Sequence, residues 1–333
     1  MTEPLLSVRD LSVTFRSDDG DVTAVRGMSF DVMPGEVLAV VGESGSGKSV
    51  TSLAIMGLLP RSARISGSAM FDGKELIGAD IKDLRRIRGK DIAMIFQDPM
   101  TALNPVFTVG NQIVEAITLH NDITEKAAWE RATDLLFQVG IPDPKRRIRL
   151  YPHEYSGGMR QRAMIAMAMA NGPKLLIADE PTTALDVTIQ AQVLQVIRKA
   201  QALTGAAMML ITHDLGVVAG LADRVNVMYA GAVFESGSID DIFYRTGNPY
   251  TLGLLGSIPI LTSRSADKLT PIPGSPPNLL RLPAGCPFRP RCVFATDICH
   301  DAEPDLFPVN GDGHSSRCYH IDKVVEARAG STA

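Results

Sequence analysis

The sequence predicts an α/β fold of the phosphate-loop nucleotide-binding class, on three observations. Gly42-Glu43-Ser44-Gly45-Ser46-Gly47-Lys48-Ser49 has the form G-x-x-x-x-G-K-[ST]. An apolar, β-branched run, Val37 to Val41, precedes it, and a helical stretch, Val50 to Leu59, follows it and stops at Pro60. Three further apolar runs end in residues able to do chemistry: Ile92 to Phe96 in Gln97, Leu175 to Ala178 in Asp179-Glu180, and Ala207 to Ile211 in Thr212-His213. In open α/β sheets ligands bind outside the carboxyl ends of the strands, where these residues fall.

The residue types of the loop follow from what it must hold. Glycines let backbone N–H groups converge on phosphate oxygens without interference from Cβ, and the following helix presents its positive dipole end. Lys48 is expected to reach the β- and γ-phosphates and the Ser49 hydroxyl to coordinate Mg²⁺, with Val50 completing the ATP-binding stretch.

Composition sets the boundaries. The 333 residues suffice for one large or two ordinary domains. Hydrophobic residues at 45% and charged residues at 21% are ordinary for a globular protein, and a net charge of −4 argues against a nucleic-acid partner. There is no run of about eighteen apolar residues, the length a spanning helix needs. The nearest, Met164 to Ala178, is broken by Asn171-Gly172-Pro173-Lys174. Met1 to Asp10 carries acids and does not read as a signal peptide. The expectation is a chain kept in the cytoplasm, with other subunits crossing any membrane at which it works.

In chain order, Leu5 to Phe15 reads as a strand, and the turn at Ser17 to Asp21 leads to a second pair, Val22 to Val25 and Met28 to Val32. Phe15 offers either a flat face for an adenine ring or an ordinary strand aromatic. Ser66 to Phe71 closes on the turn Asp72-Gly73, and Ile81 to Arg88 reads as a basic, partly amphipathic helix. From Asp98 to Tyr155 the pattern is helical, with Val109 to Leu119 and Thr124 to Val139 at helical spacing and Thr124 a candidate cap. Ser156-Gly157-Gly158 then opens a helix running to Ala170, presenting N–H groups and a hydroxyl to an anion.

The strand-end residues divide the labour of a hydrolase. Side chains alternate faces along a strand, so Asp179 and Glu180 serve different ends. Asp179 suits the Mg²⁺ shell and Glu180 suits a general base on the attacking water. Gln97 is placed for Mg²⁺ or that water, and His213 for a hydrogen bond to the γ-phosphate. Asp186 sits in the loop before the helix Val187 to Leu203. Arg224 to Tyr229 and Ala232 to Ser236 finish the sheet, and Ile239 to Tyr244 is a short helix.

Assembled, these pieces resemble the ATP-binding subunit of an ATP-binding-cassette (ABC) transporter. The phosphate loop, Gln97, the Ser156-Gly157-Gly158 signature, the Asp179-Glu180 pair, Asp186 and His213 stand in that family's order. The resemblance implies an ABC-type P-loop NTPase over residues 1–245, with a RecA-like core, an antiparallel β subdomain and a helical subdomain at 98–160. An irregular extension, 246–333, follows. It also implies that ATP is sandwiched between one subunit's phosphate loop and the other's signature, here Ser156, Gly157, Gly158, Met159, Arg160 and Gln161. Met159 departs from the commoner Gln. One chain then supplies half of each site, and the working unit is a pair.

Tyr151 to Arg162 and Leu175 to Asp186 are especially similar to the D-type ATPase subunits of bacterial dipeptide and oligopeptide importers. That implies pairing with a homologous F-type ATPase on two membrane permeases at the inner face of the plasma membrane, fed by an external peptide-binding protein. Importers of nickel chelates or other small solutes use related cassettes. A soluble repair or translation ATPase is the rival class, which usually carries two cassettes or a coiled-coil insertion. The stretch Asn248-Pro249-Tyr250-Thr251 resembles the extension of peptide-type cassettes, and proline-dense Pro271 to Pro290 reads as a wrap rather than an independent fold.

All four cysteines fall in this tail, at Cys286, Cys292, Cys299 and Cys318. Stable disulfides are not expected in a cytoplasmic chain, which leaves metal ligation or free thiols. The spacing fits neither common zinc nor ferredoxin patterns, so iron–sulfur, zinc and unligated thiols stay open. Some relatives with a similar tail hold a [4Fe–4S] cluster on four such cysteines, and the resemblance implies the same here. Glu326 to Ala333, small and polar, is expected to be disordered.

Overall fold

The strands that carry the expected site are among the most buried parts of the chain, as continuous apolar runs require. In the computed structural model, which describes residues 3–183, 186–258, 271–309, 311 and 313–331, Val37–Val41 and Leu175–Asp179 are buried at every position. The chain divides into two compact units, one of Met1–Leu6, Val32–Glu36 and Phe71–Ile211, the other of Ser7–Asp31, Val37–Met70 and Thr212–Ala333.

In the first unit Ile92–Ile95, Leu175–Asp179 and the strand from Ala207 lie side by side and parallel, with Ile95 opposite Ala178 and Asp179 opposite Ile211. This register brings the carboxyl ends level, so the residues after each strand share one edge. The helical insertion follows its caps. Thr124 accepts from the Ala127 N–H to start Glu125–Gln138, Thr108 caps Val109–Thr118, and Asp186 caps Val187–Thr204. Ala128, Ala132, Leu135 and Leu136 form the buried stripe of the longer insertion helix.

In the second unit Val37–Val41 runs parallel to Arg224–Tyr229, which pairs antiparallel with Ala232–Ser238. Two short strands, Ser315–Ser316 and Phe307–Pro308, extend that sheet. A separate sheet takes Leu6–Ser17 between Gly20–Val32 and Ala63–Phe71. The tail belongs to this unit's core. Tyr250 and Phe288 pack on Tyr229 and Phe234, with the Tyr229 and Tyr250 rings 4.6 Å apart. Residues 271–288 form no helix or strand, yet Ile272, Leu279 and Leu282 pack against the same cluster, as a wrap would.

Three expectations need correction. The second pair of strands is one continuous strand, Gly20–Val32. Gly27 takes a left-handed φ of 61° and donates its N–H to Ser12 Oγ, so the chain passes through without turning. The phosphate-loop helix is shorter than expected, Lys48–Ile55, because Gly57 at φ 61° ends it. The polar C-terminus is helical over Ile321–Ser331, anchored by buried Val324 and by Arg328 donating to Phe243 O at 2.7 Å. Positions 332 and 333 of the expected disordered end lie outside the described residues.

Candidate functional site

The phosphate loop is shaped by contacts only glycine permits. A Cβ on Gly42 would lie 2.2 Å from Met228 O, and one on Gly47, at φ 100°, would lie 2.3 Å from Ala24 O. Gly231 N–H donates to Ser46 O at 3.1 Å, so the turn after Arg224–Tyr229 backs the loop. Lys48, almost fully buried, donates from Nζ to Gly42 O at 2.8 Å and Glu43 O at 3.0 Å. The helix Lys48–Ile55 starts without a side-chain cap. Ser46 Oγ is buried with no hydrogen-bond partner. A turn of converging donors with an unpaired buried hydroxyl is a fit for a polyphosphate.

The same unit holds Ser49 and Val50, both half-buried in the first turn of that helix, and Phe15, half-buried on Leu6–Ser17. His213 is exposed and directly follows Ala207–Thr212.

The first unit gathers the acidic residues. Asp179 is the buried last residue of its strand, and Glu180 begins the turn with a left-handed φ of 44°. That backbone is unusual for a residue with a side chain. Neighbours fix it: Glu180 N–H donates to Ile211 O at 2.9 Å, and Thr183 N–H donates back to Glu180 O at 3.2 Å. One carboxylate oxygen accepts from Gln97 Nε2 at 3.2 Å and from Thr183 Oγ1 at 2.8 Å. Gln97 and Glu180, predicted from separate strand ends, are therefore joined directly. Thr183 was not foreseen; a hydroxyl three residues past the acid was its only local signal.

The signature turn is also in the first unit. Ser156 caps Gly157–Ala168 by accepting from Met159 N–H at 3.4 Å. A Cβ on Gly157 would meet nothing, whereas one on Gly158 would press on Ile189 Cγ2 at 3.0 Å. Arg160 is spent inward, donating to Pro152 O at 2.7 Å and His153 O at 3.2 Å. Met159 Sδ accepts from Arg147, and Gln161 is buried with Nε2 unpaired. Burial pushes the Tyr155 phenol up to about 12, so it stays protonated and donates to Arg147 O at 2.9 Å. Asp186 opens its helix as a cap.

Cys286, Cys292, Cys299 and Cys318 line one narrow pocket with Phe288 and Tyr319. Burial raises the Cys292 thiol to about 11 and the Cys318 thiol to about 12, and neighbouring sulfurs add to each shift. Among the described residues no three His, Cys, Asp or Glu side chains converge on a single ion. The geometry does not suit a mononuclear metal. Cys299 is buried and the other three thiols are half-buried around the pocket.

A phosphate loop, a strand-end acid held by a glutamine and a serine-capped glycine turn define the class of phosphate-loop hydrolases. The ABC transporter family matches residues 25–183, and the C-terminal region of oligopeptide/dipeptide transporters matches residues 234–299. The chain belongs to the ABC transporter family.

Within it, the chain is 53% identical over 326 residues to the dipeptide transport ATP-binding protein DppD of Bacillus subtilis, covering 97% of each. It is 55% identical over 323 residues to the oligopeptide transport ATP-binding protein OppD of Mycobacterium bovis, of which it spans only 53%. The fold is that of the dimeric cassette MJ0796, solved in a post-hydrolysis state with ADP and phosphate, at a TM-score of 0.63 over 70% of this chain and 98% of that one.

Proposed function

We propose that the chain is the ATP-hydrolysing subunit of a peptide importer, with a cassette over residues 1–245 and a peptide-importer extension over 246–333. The observation that carries the hydrolase reading is the Glu180 carboxylate, set on a left-handed turn and held by Gln97 and Thr183. Held by two side-chain donors at the end of a strand, it is suited to accept a proton from water.

Each residue takes the role that the family's motifs give it. The N–H groups of Gly42 to Ser49 and the Lys48 ammonium bind the phosphates, and the Ser46 hydroxyl gains the partner it lacks. By the family's motifs Ser49, Gln97 and Asp179 would hold Mg²⁺, which would supply charge neutralisation at the phosphates. Glu180 orients water and takes its proton, and His213 hydrogen-bonds the γ-phosphate. Phe15 stacks on the adenine. Ser156 to Gln161 serve the nucleotide of a second ATPase subunit, and Asp186 lies in the loop between the two. The relatives' names support peptides as the cargo, and the match at 234–299 supports it from the tail. No helix of the described residues is long and apolar enough to cross a membrane, which fits a peripheral subunit on two permeases.

The four cysteines would hold an iron–sulfur cluster, whose chemistry there is that of a structural tie. Anaerobically purified protein then contains about four irons per chain with broad visible absorbance; absence of both removes the cluster.

The ATPase reading is tested by Glu180→Gln. Turnover is expected to fall about 10³-fold with nucleotide affinity retained, and sedimentation should show an ATP-dependent dimer. Hydrolysis at the wild-type rate overturns the role of Glu180. Cells lacking the chain should fail to take up a labelled oligopeptide; unimpaired uptake removes the peptide assignment.

A further inference from the structure

Glu43 occupies a variable position of the phosphate loop, yet it is bound from outside the loop through both its side chain and its backbone. Arg291, in the short turn Arg289–Arg291 of the carboxyl-terminal segment, has a side chain only 5% exposed. Its Nη1 and Nη2 donate to the two Glu43 carboxylate oxygens at 2.6 and 2.9 Å. Its Nε donates to Pro273 O at 2.9 Å, and its guanidinium carbon lies 5.8 Å from the ring centres of Tyr229 and Phe288. Tyr250, fully buried, accepts the Glu43 N–H at 2.8 Å.

The other side of Glu43 faces the lysine. Its carbonyl and that of Gly42 accept from Lys48 Nζ. A chain of hydrogen bonds therefore runs from Pro273 through Arg291 and Glu43 to Lys48. A planar guanidinium bound to both oxygens of one carboxylate fixes direction as well as distance, which a lysine cannot do. A solvated glutamate at this position would impose no such constraint on the loop.

We propose that Arg291 is a positioning residue for nucleotide binding: its bidentate pair with Glu43, seconded by Tyr250, lets the carboxyl-terminal segment set the conformation of the phosphate loop. The segment is then a determinant of nucleotide affinity, over and above its thiol pocket. This rests on the reading that the loop binds ATP.

The test is a double-mutant cycle on the full chain with Glu43→Gln, Arg291→Lys and the pair, titrated with a fluorescent ATP analogue and with MgATP. Each single change is expected to weaken nucleotide binding about tenfold, and the pair to be no weaker than the worse single. KM for ATP should rise by more than kcat falls. Thermal melting is recorded alongside, and Glu43→Gln, which keeps the shape of the side chain, serves if Arg291→Lys does not fold. Unchanged nucleotide affinity in folded Glu43→Gln, or strictly additive losses in the cycle, overturns the proposal. A wild-type chain that binds no nucleotide overturns the ATP reading beneath it, an outcome distinct from normal binding with a silent clasp.

Discussion

The phosphate loop and the Glu180 turn are both tight turns at the end of a buried strand, and both contain left-handed backbone. They reach it by opposite routes. In the loop the unusual positions are glycines: Gly42, Gly45 and Gly47, with φ of 156°, 78° and 100°. At Glu180 a residue with a full side chain is held at φ 44°, a conformation that costs roughly 1–2 kcal/mol for an L-residue. The loop must bring backbone close to other backbone, so a side chain is excluded. The Glu180 turn must present a carboxylate, so the side chain is required and the strain is offset by neighbours. Gly42 has no alternative residue for steric reasons; Glu180 has easier alternatives, all of which lack the acid.

Substitutions that exchange these two solutions should separate them. The largest effect is expected for Gly42→Ala, whose new Cβ would press within 2.2 Å of Met228 O. It should lower stability by about 3 kcal/mol or more and abolish binding of a fluorescent nucleotide, read by denaturant melts and titration. Thr183→Val removes the hydroxyl that donates to Glu180 and should slow ATP turnover about tenfold while leaving nucleotide affinity near wild type. Glu180→Gly and Glu180→Ala both remove the carboxylate, and both should be inactive. The glycine variant should nonetheless be the more stable of the two by about 1 kcal/mol, since it relieves the backbone. If alanine proves the more stable, the strain assigned to this turn is absent.

The smallest effect belongs to Gly45→Ala. Its φ is left-handed, but a Cβ there would meet nothing within 4 Å. A loss of about 1 kcal/mol is expected, with nucleotide binding weakened less than in Gly42→Ala. Equal effects at Gly42 and Gly45 would mean that φ alone, and not close approach, governs the loop.

Much of this was legible in the chain. Apolar runs ending at Gln97, Glu180 and Thr212 located the parallel strands, because a strand buried on both faces must be apolar throughout. Thr124, Ser156 and Asp186 announced helix starts, because capping is satisfied within three residues. Other features carried no such signal. Gly20–Val32 continues through Gly27 because Ser12, on the neighbouring strand, takes its N–H. The tail from Ile321 is helical because Val324 finds a buried site and Arg328 finds Phe243 O, although its composition is that of a loose end.

By itself, then, the sequence determined what is settled over a few residues: the glycine cradle with Lys48 and Ser49, the strand-end acids, the helix caps and the clustering of four cysteines. The tertiary structure alone decided which distant groups complete them. Glu180 meets Gln97 across 83 positions and Glu43 meets Arg291 across 248. A charged side chain's sequence neighbours say which charge it would accept, but only the packed chain supplies the partner, since the contact depends on the path of everything between.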